Sequence, residues 1–238
     1  MGRMSRPSVV RRTVEMTMST TARREAPMDR YRTPLLTARE TARVLKMPES
    51  TLDSWLATSE HDALVHGVAP EKRGWPRVPF VGIVEAFVLR SLRDLGISMA
   101  DVRRAADIVR QEFRDPYALA KERIATDGIR VFVRLADESI IHARDRQAAI
   151  EEVLRGHLRY ITWDASGEPR SLRLPQYPDE AAVVIDPDFA WGAPVLARTK
   201  APIDGMVALW RTGESMTSIA EEYGLPVSAV EDVLRQAA

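Results

Sequence analysis

LLTARETARVLKMPESTLDSWL, residues 35–56, reads as two short helices joined by a tight turn. Thr37-Ala38-Arg39-Glu40 has the T-x-x-E form of a capping box, and Leu36 is placed to staple onto the first turn. Ala38, Thr41, Ala42 and Leu45 then make one compact inward stripe. Pro48 cannot continue this helix, but it can open the next one at its first position. The second helix, about residues 49–57, turns Leu52, Trp55 and Leu56 inward at i, i+3, i+4 and leaves Ser50, Thr51, Asp53 and Ser54 outside. Two short helices of this kind are a helix-turn-helix candidate.

Downstream, HGVAPEKRGWPRVPF (66–80) is full of breakers, and Glu71-Lys72-Arg73-Gly74 reads as a polar turn. Short strands on either side of it would make a hairpin. From Phe80 an apolar helix follows (Ile83, Val84, Phe87, Val88, Leu92, Leu95), stopped by Gly96. Ser98 then caps another helix, with Val102, Ala105, Ala106, Val109 and Phe113 inside.

Beyond residue 115 the apolar period changes. Residues 129–135 and 139–142 are β-branched and alternating, so two strands are expected there. A helix is expected at 146–156, then strands at 158–163 and 170–174 across the turn at 164–169. Pro175, Pro178 and the polar patch 176–180 read as a linker. The last block has a strand at 183–185, a Pro/Gly-rich turn and three short helices. The first is 203–210, with Trp210 a core residue if its ring turns inward. The second is 215–223, with Ile219, Ala220 and Tyr223 inside, and the third opens on a capping box at Ser228–Glu231. This end too has a helix-turn-helix shape. The expected fold class is α+β, mainly α, divided as a basic tail (1–32), a winged helix-turn-helix (33–114), a small α+β middle domain (115–178) and a C-terminal helical domain (179–238).

Charge is distributed unevenly along a chain that is neutral overall, with 34 basic and 34 acidic residues among 238. Residues 1–32 carry eight arginines against three acids, net +5, whereas residues 176–238 carry four cations against ten acids, net −6. A basic head and an acidic tail suggest an anionic partner at one end and a different one at the other. Residues 1–30 have almost no periodic apolar pattern and read as a floppy tail or as a basic arm that tracks phosphates. Met16, Met18 or Met28 is an alternative start. At 45% hydrophobic and 29% charged, the chain as a whole is globular rather than disordered. No apolar run approaches the roughly 18 residues of a membrane span, and no signal peptide is evident, so no membrane association is expected. With no cysteine there is no disulfide framework, thiolate metal site or Cys nucleophile. The expected location is the cytoplasm.

No catalytic set stands out, and no enzyme activity, cofactor or metal is expected. The four histidines form no H-E-x-x-H, the His61/His66 pair reads as solvated loop, and the phosphate-binding and nucleophile-elbow motifs are missing. The acidic pairs Glu151-Glu152, Glu221-Glu222 and Asp186/Asp188 read as solvated faces, because neighbours on a helix do not face each other. An enzyme built on His142, Asp145, Glu151 and His157 of the middle domain is the weakest alternative.

DNA binding is the better-supported chemistry. Arg39, Arg43 and Lys46 fall on or beside the solvent side of the first helix. Ser50, Thr51 and Ser54 on the second are short hydrogen-bonding side chains suited to base edges or phosphates. The turn beyond offers Lys72, Arg73 and Arg77 as a charged tip. The plain alternative is a helical pair that merely packs.

With these residues in view, LLTARETARVLKMPESTLDSWL and FVGIVEAFVLRSLRDLGISMADVRRA, with a wing between them, resemble the winged helix-turn-helix of the MerR type over about residues 34–113. The resemblance implies that Ser50, Thr51 and Ser54 face the major groove while Arg73 and Arg77 lie on the wing and its exit. Ser54-Trp55 departs from that family's Arg-Tyr-Tyr-like run. The tail, with signatures at 187–199, 213–215 and 219–225, resembles a small helical family of unknown function that recurs in antitoxins of bacterial toxin-antitoxin pairs. Its net −6 repels phosphate, which suits self-association or protein contact. Together the parts look like a VapB-type antitoxin of the large mycobacterial variety. That resemblance implies a protein that silences a PIN-domain (VapC-type) ribonuclease toxin and represses its own operon as a homodimer on operator DNA. The other reading of the same residues is a stand-alone MerR-like regulator that senses a small ligand.

Overall fold

The computed structural model describes residues 28–56, 63–128, 130–131 and 144–237. Among these residues the chain is mainly helical with two small antiparallel sheets, an α+β fold dominated by helix. It opens with β1 (Pro34–Leu36), α1 (Ala38–Val44) and α2 (Glu49–Trp55). The expected hairpin around residues 71–74 is replaced by a different pairing. Strand β2 (Val78–Pro79) lies antiparallel to β1, with Leu36 opposite Val78, and the preceding arm contributes only the Val68 N–H to the Arg77 carbonyl (2.8 Å). Prolines 70, 76 and 79 leave too few backbone donors in this stretch for a regular ladder.

Helix α3 (Phe80–Asp94) is the central element. Phe80 to Leu89 are all buried, because α4 (Met99–Phe113), the 3-10 turn Ala118–Ala120, α5 (Arg144–Leu158) and the second sheet surround it. Full burial of each large side chain, such as Phe80 or Ile83, is worth about 1.5–3 kcal/mol. Gly82 is required by close approach, since a Cβ there would lie 2.2 Å from the His66 carbonyl oxygen.

The second sheet runs β3-β4-β5-β6, antiparallel throughout: β3 (Ile161–Trp163), β4 (Pro169–Arg173), β5 (Val183–Ile185) and β6 (Val195–Leu196). Leu172 pairs with Ile185, so the sheet crosses the boundary expected at 178/179. The segment read as a linker is packed. Tyr177 is buried and the Gln176 side-chain amide donates to the Val44 carbonyl at 2.8 Å. Of the two strands expected at 129–135 and 139–142, residues 130 and 131 are helical and the rest lies outside the described residues, as does the basic tail through residue 27.

Helices α6 (Ile203–Arg211), α7 (Met216–Tyr223) and α8 (Val227–Ala237) close the chain. Ser215 caps α7 through the Ser218 N–H (3.1 Å), but Ser228 lies inside α8 and caps nothing. The helix begins two residues earlier, at Val227, and the Pro226 carbonyl accepts from Ala229 and Val230. Trp210 is 41% exposed, so its ring is not core. Asp186 is buried and ion-paired to Lys200 (2.9 Å), not part of a solvated face.

Candidate nucleic-acid interface

The helix-turn-helix is built locally. Thr37 and Glu40 exchange both bonds of the capping box: the Glu40 N–H donates to Thr37 Oγ1 (3.1 Å) and the Thr37 N–H to Glu40 Oε2 (2.8 Å). The turn closes where Lys46 adopts a left-handed φ of 51° and the Met47 N–H reaches the Ala42 carbonyl (2.9 Å). Pro48 sits just before α2 with an extended backbone, one residue ahead of the expected position. Leu52, Trp55 and Leu56 seat α2 on the core, and the Trp55 carbonyl accepts from Leu64 and Val65.

This leaves Ser50 and Ser54 exposed and Thr51 half-buried on the outer side of α2. Ser54 donates its hydroxyl proton to the Thr51 carbonyl at 2.7 Å, so towards a partner it offers its oxygen as an acceptor. Arg39 and Arg43, four residues apart on α1, are both exposed. Lys46 is committed elsewhere, since its ammonium donates to the Gln236 carbonyl (2.8 Å) and ties the turn to α8.

Beyond α2 the chain is clamped before it turns outward. Arg110 donates to the carbonyls of Ala63 (3.0 Å) and Leu64 (2.7 Å), and His66 is bound to the buried Glu85. Residues 69–75 then stand exposed, closed at the tip by the Trp75 N–H on the Lys72 carbonyl (3.1 Å). Lys72 and Arg73 lie on this loop, with the Lys72 ammonium 5.1 Å from the centre of the Trp75 ring. Arg77 is at the base, half-buried, and its guanidinium donates to the Leu56 carbonyl (3.3 Å). It therefore joins the loop to the end of α2, whereas Lys72 and Arg73 project. Trp75, 47% exposed, stands at the same tip. It is signalled in the sequence by the run Arg73-Gly74-Trp75-Pro76, an aromatic held between two turn residues.

A cleft of about 670 Å³ opens beside the loop, lined in part by Tyr31, Arg32, His66, Arg77 and Tyr117. Glu151 pairs with Arg155 (2.8 Å), His157 Nδ1 lies 2.9 Å from the Val153 carbonyl, and His61 and His142 are outside the described residues. Among the described residues no three histidine or carboxylate groups gather as metal ligands would. No helix among them is long and apolar enough to cross a membrane.

Residues 34–106 match the model of a family described as "Putative DNA-binding HTH domain", and residues 183–237 that of "Protein of unknown function (DUF433)". The chain is 30% identical over 230 residues to "Putative antitoxin VapB45" of Mycobacterium tuberculosis, covering 86% of this chain and 94% of that protein. The crystal structure of Rv2018 from Mycobacterium tuberculosis superposes with a TM-score of 0.74 at 28% identity, over 87% of this chain and all of that one. Helix-turn-helix, acidic helical end and near full-length likeness agree, and the chain belongs to the VapB-type antitoxin family.

Proposed function

We propose that this protein is a non-enzymatic antitoxin that works in the cytoplasm, binds and neutralises a PIN-domain ribonuclease toxin, and represses its own operon as a homodimer on operator DNA. The observation that carries the reading is the match to an antitoxin along 94% of that relative's length, with a DNA-binding helix-turn-helix at residues 34–106. In this reading Ser50, Thr51 and Ser54 of α2 read the major groove, and Arg39, Arg43, Lys72 and Arg73 take phosphates. Arg77 supports them from the base of the loop. The C-terminal end, net −6, is unsuited to a polyanion and serves protein contact, with the toxin or with a second copy.

Co-expression of a tagged copy with the neighbouring reading frame tests this. Stoichiometric co-purification, with RNA cleavage by the neighbour silenced in the complex, is the expected result; absence of any protein partner refutes it. The cleft lined by Tyr31, His66 and Tyr117 favours one second reading, a stand-alone regulator that senses a small ligand. That reading requires a small molecule that raises the melting temperature and shifts DNA affinity without a protein partner.

A further inference from the structure

We propose that Trp75 is a DNA-contacting residue, packing its indole against the wall of the minor groove while the cations beside it hold phosphates. The inference rests on the DNA-binding reading above and adds to it an apolar contact at the tip of the loop.

Trp75 is exposed by nearly half, in contrast to Trp55, which is 1% exposed in the core. It is presented by a tight turn: the Trp75 N–H closes on the Lys72 carbonyl, Gly74 takes a left-handed φ of 84°, and Pro76 stiffens the exit. The base of the loop is fixed at three points. The Val68 N–H donates to the Arg77 carbonyl, the Arg77 N–H to the Leu36 carbonyl, and the Arg77 guanidinium to the Leu56 carbonyl at the end of α2. The tip and the helix with Ser50 and Ser54 thus stand on one base.

Charge selects the occupant. Lys72 and Arg73 precede the ring on the same exposed loop and Glu71 is the single acid there, whereas the acidic surplus lies at the other end of the chain. An exposed indole on a loop that also presents two cations matches a polyanion whose groove walls present sugars and base edges, which apolar side chains contact in minor-groove binding. Lys72 rests over the ring at 5.1 Å. Its move to a phosphate uncovers the face that packs.

Contacts of the two kinds differ in salt dependence. A cation on a phosphate releases counterions, about 0.9 of a unit in the log–log slope per phosphate, and an indole releases none. The test titrates the full chain against the DNA upstream of its own gene at three salt concentrations. Trp75→Ala is expected to lose about tenfold or more in affinity at every salt with the slope unchanged, in the range known for aromatic stacking on nucleic acid. Trp75→Phe is expected to recover part of the loss, and the pair Lys72→Ala, Arg73→Ala to flatten the slope. Quenching of tryptophan fluorescence by DNA is expected in the wild type and diminished in Trp75→Phe.

Wild-type affinity in Trp75→Ala overturns the proposal. So does unchanged DNA binding with lost toxin co-purification, which assigns the ring to a protein interface. If Trp75→Ala fails to fold, quenching retained in full by Trp75→Phe overturns it instead. A wild-type chain that binds no such DNA removes the DNA-binding reading itself, and this inference with it.

Discussion

Glu85 and His66 are bound to each other twice: the Glu85 carboxylate accepts the backbone N–H and the ring Nδ1–H of His66, each at 2.8 Å. Glu85 has no exposed surface and lies on α3, so this pair fixes the chain leaving the helix-turn-helix to the central helix. Arg110 completes the arrangement, 3.7 Å from Glu85 and bonded to the Ala63 and Leu64 carbonyls.

Removing the Glu85 carboxylate takes the counter-charge from Arg110 and the acceptor from His66, and breaking a buried ion pair costs about 3–5 kcal/mol. Glu85→Ala is therefore expected to lose stability of that order in chemical denaturation. Glu85→Gln, which keeps an acceptor in place, should lose less. Equal losses in the two would show that charge, not hydrogen bonding, holds the segment.

The tryptophans separate core from surface. Trp55→Ala removes a ring that is 1% exposed and should lose about 3–5 kcal/mol. Trp210→Ala, at 41% exposed, is expected to stay within about 1 kcal/mol of the wild type. Thermal melts of both variants decide this, and a large loss in Trp210→Ala would place its ring in an interface between copies.

Lys72 and Arg73 project, whereas Arg77 is bonded internally. Lys72→Ala with Arg73→Ala should flatten the log–log salt slope of DNA binding by up to about two units at unchanged melting temperature. Arg77→Ala is expected instead to lose about 1 kcal/mol of stability with its bond to Leu56. A flattened slope in Arg77→Ala at full stability would return it to the phosphate contacts.

Asp164 supplies a pH signature. The Ser166 hydroxyl first, then the backbone N–H groups of Glu168 and Ser166, and Arg30 hold its carboxyl down to about 2. Because that lies below the ordinary carboxylate value of about 4, the contribution to stability is complete above pH 4 and is lost as the pH falls towards 2. Melting temperature followed from pH 5 to 2 should therefore fall less steeply in Asp164→Asn. Parallel curves would remove Asp164 from the acid transition.

The helix-turn-helix was legible because its signals are local. A capping box at Thr37 and Glu40, a proline after a short helix and an i, i+3, i+4 stripe at Leu52, Trp55 and Leu56 act over one or two turns of chain. The same holds for α3, α4 and the strand at 183–185. What sequence could not supply was partnership at a distance. The proline-rich stretch 66–80 announces a turn, yet that Val78 pairs with Leu36 rather than with its own hairpin arm depends on where β1 lies. Arg77 and Lys46 read as free cations beside Lys72 and Arg73. Only the fold brings the Leu56 and Gln236 carbonyls to them, and a guanidinium or ammonium takes such an acceptor wherever packing presents one. Asp186, Tyr177 and Trp210 teach the same point. The exposure of a side chain in a loop or at a helix end is set by elements that pack over it from elsewhere in the chain. Local propensity and periodicity thus determined the two short helices of the helix-turn-helix and which side of each turns inward. Tertiary packing decided which cations and which tryptophans stay exposed and which are bonded or buried.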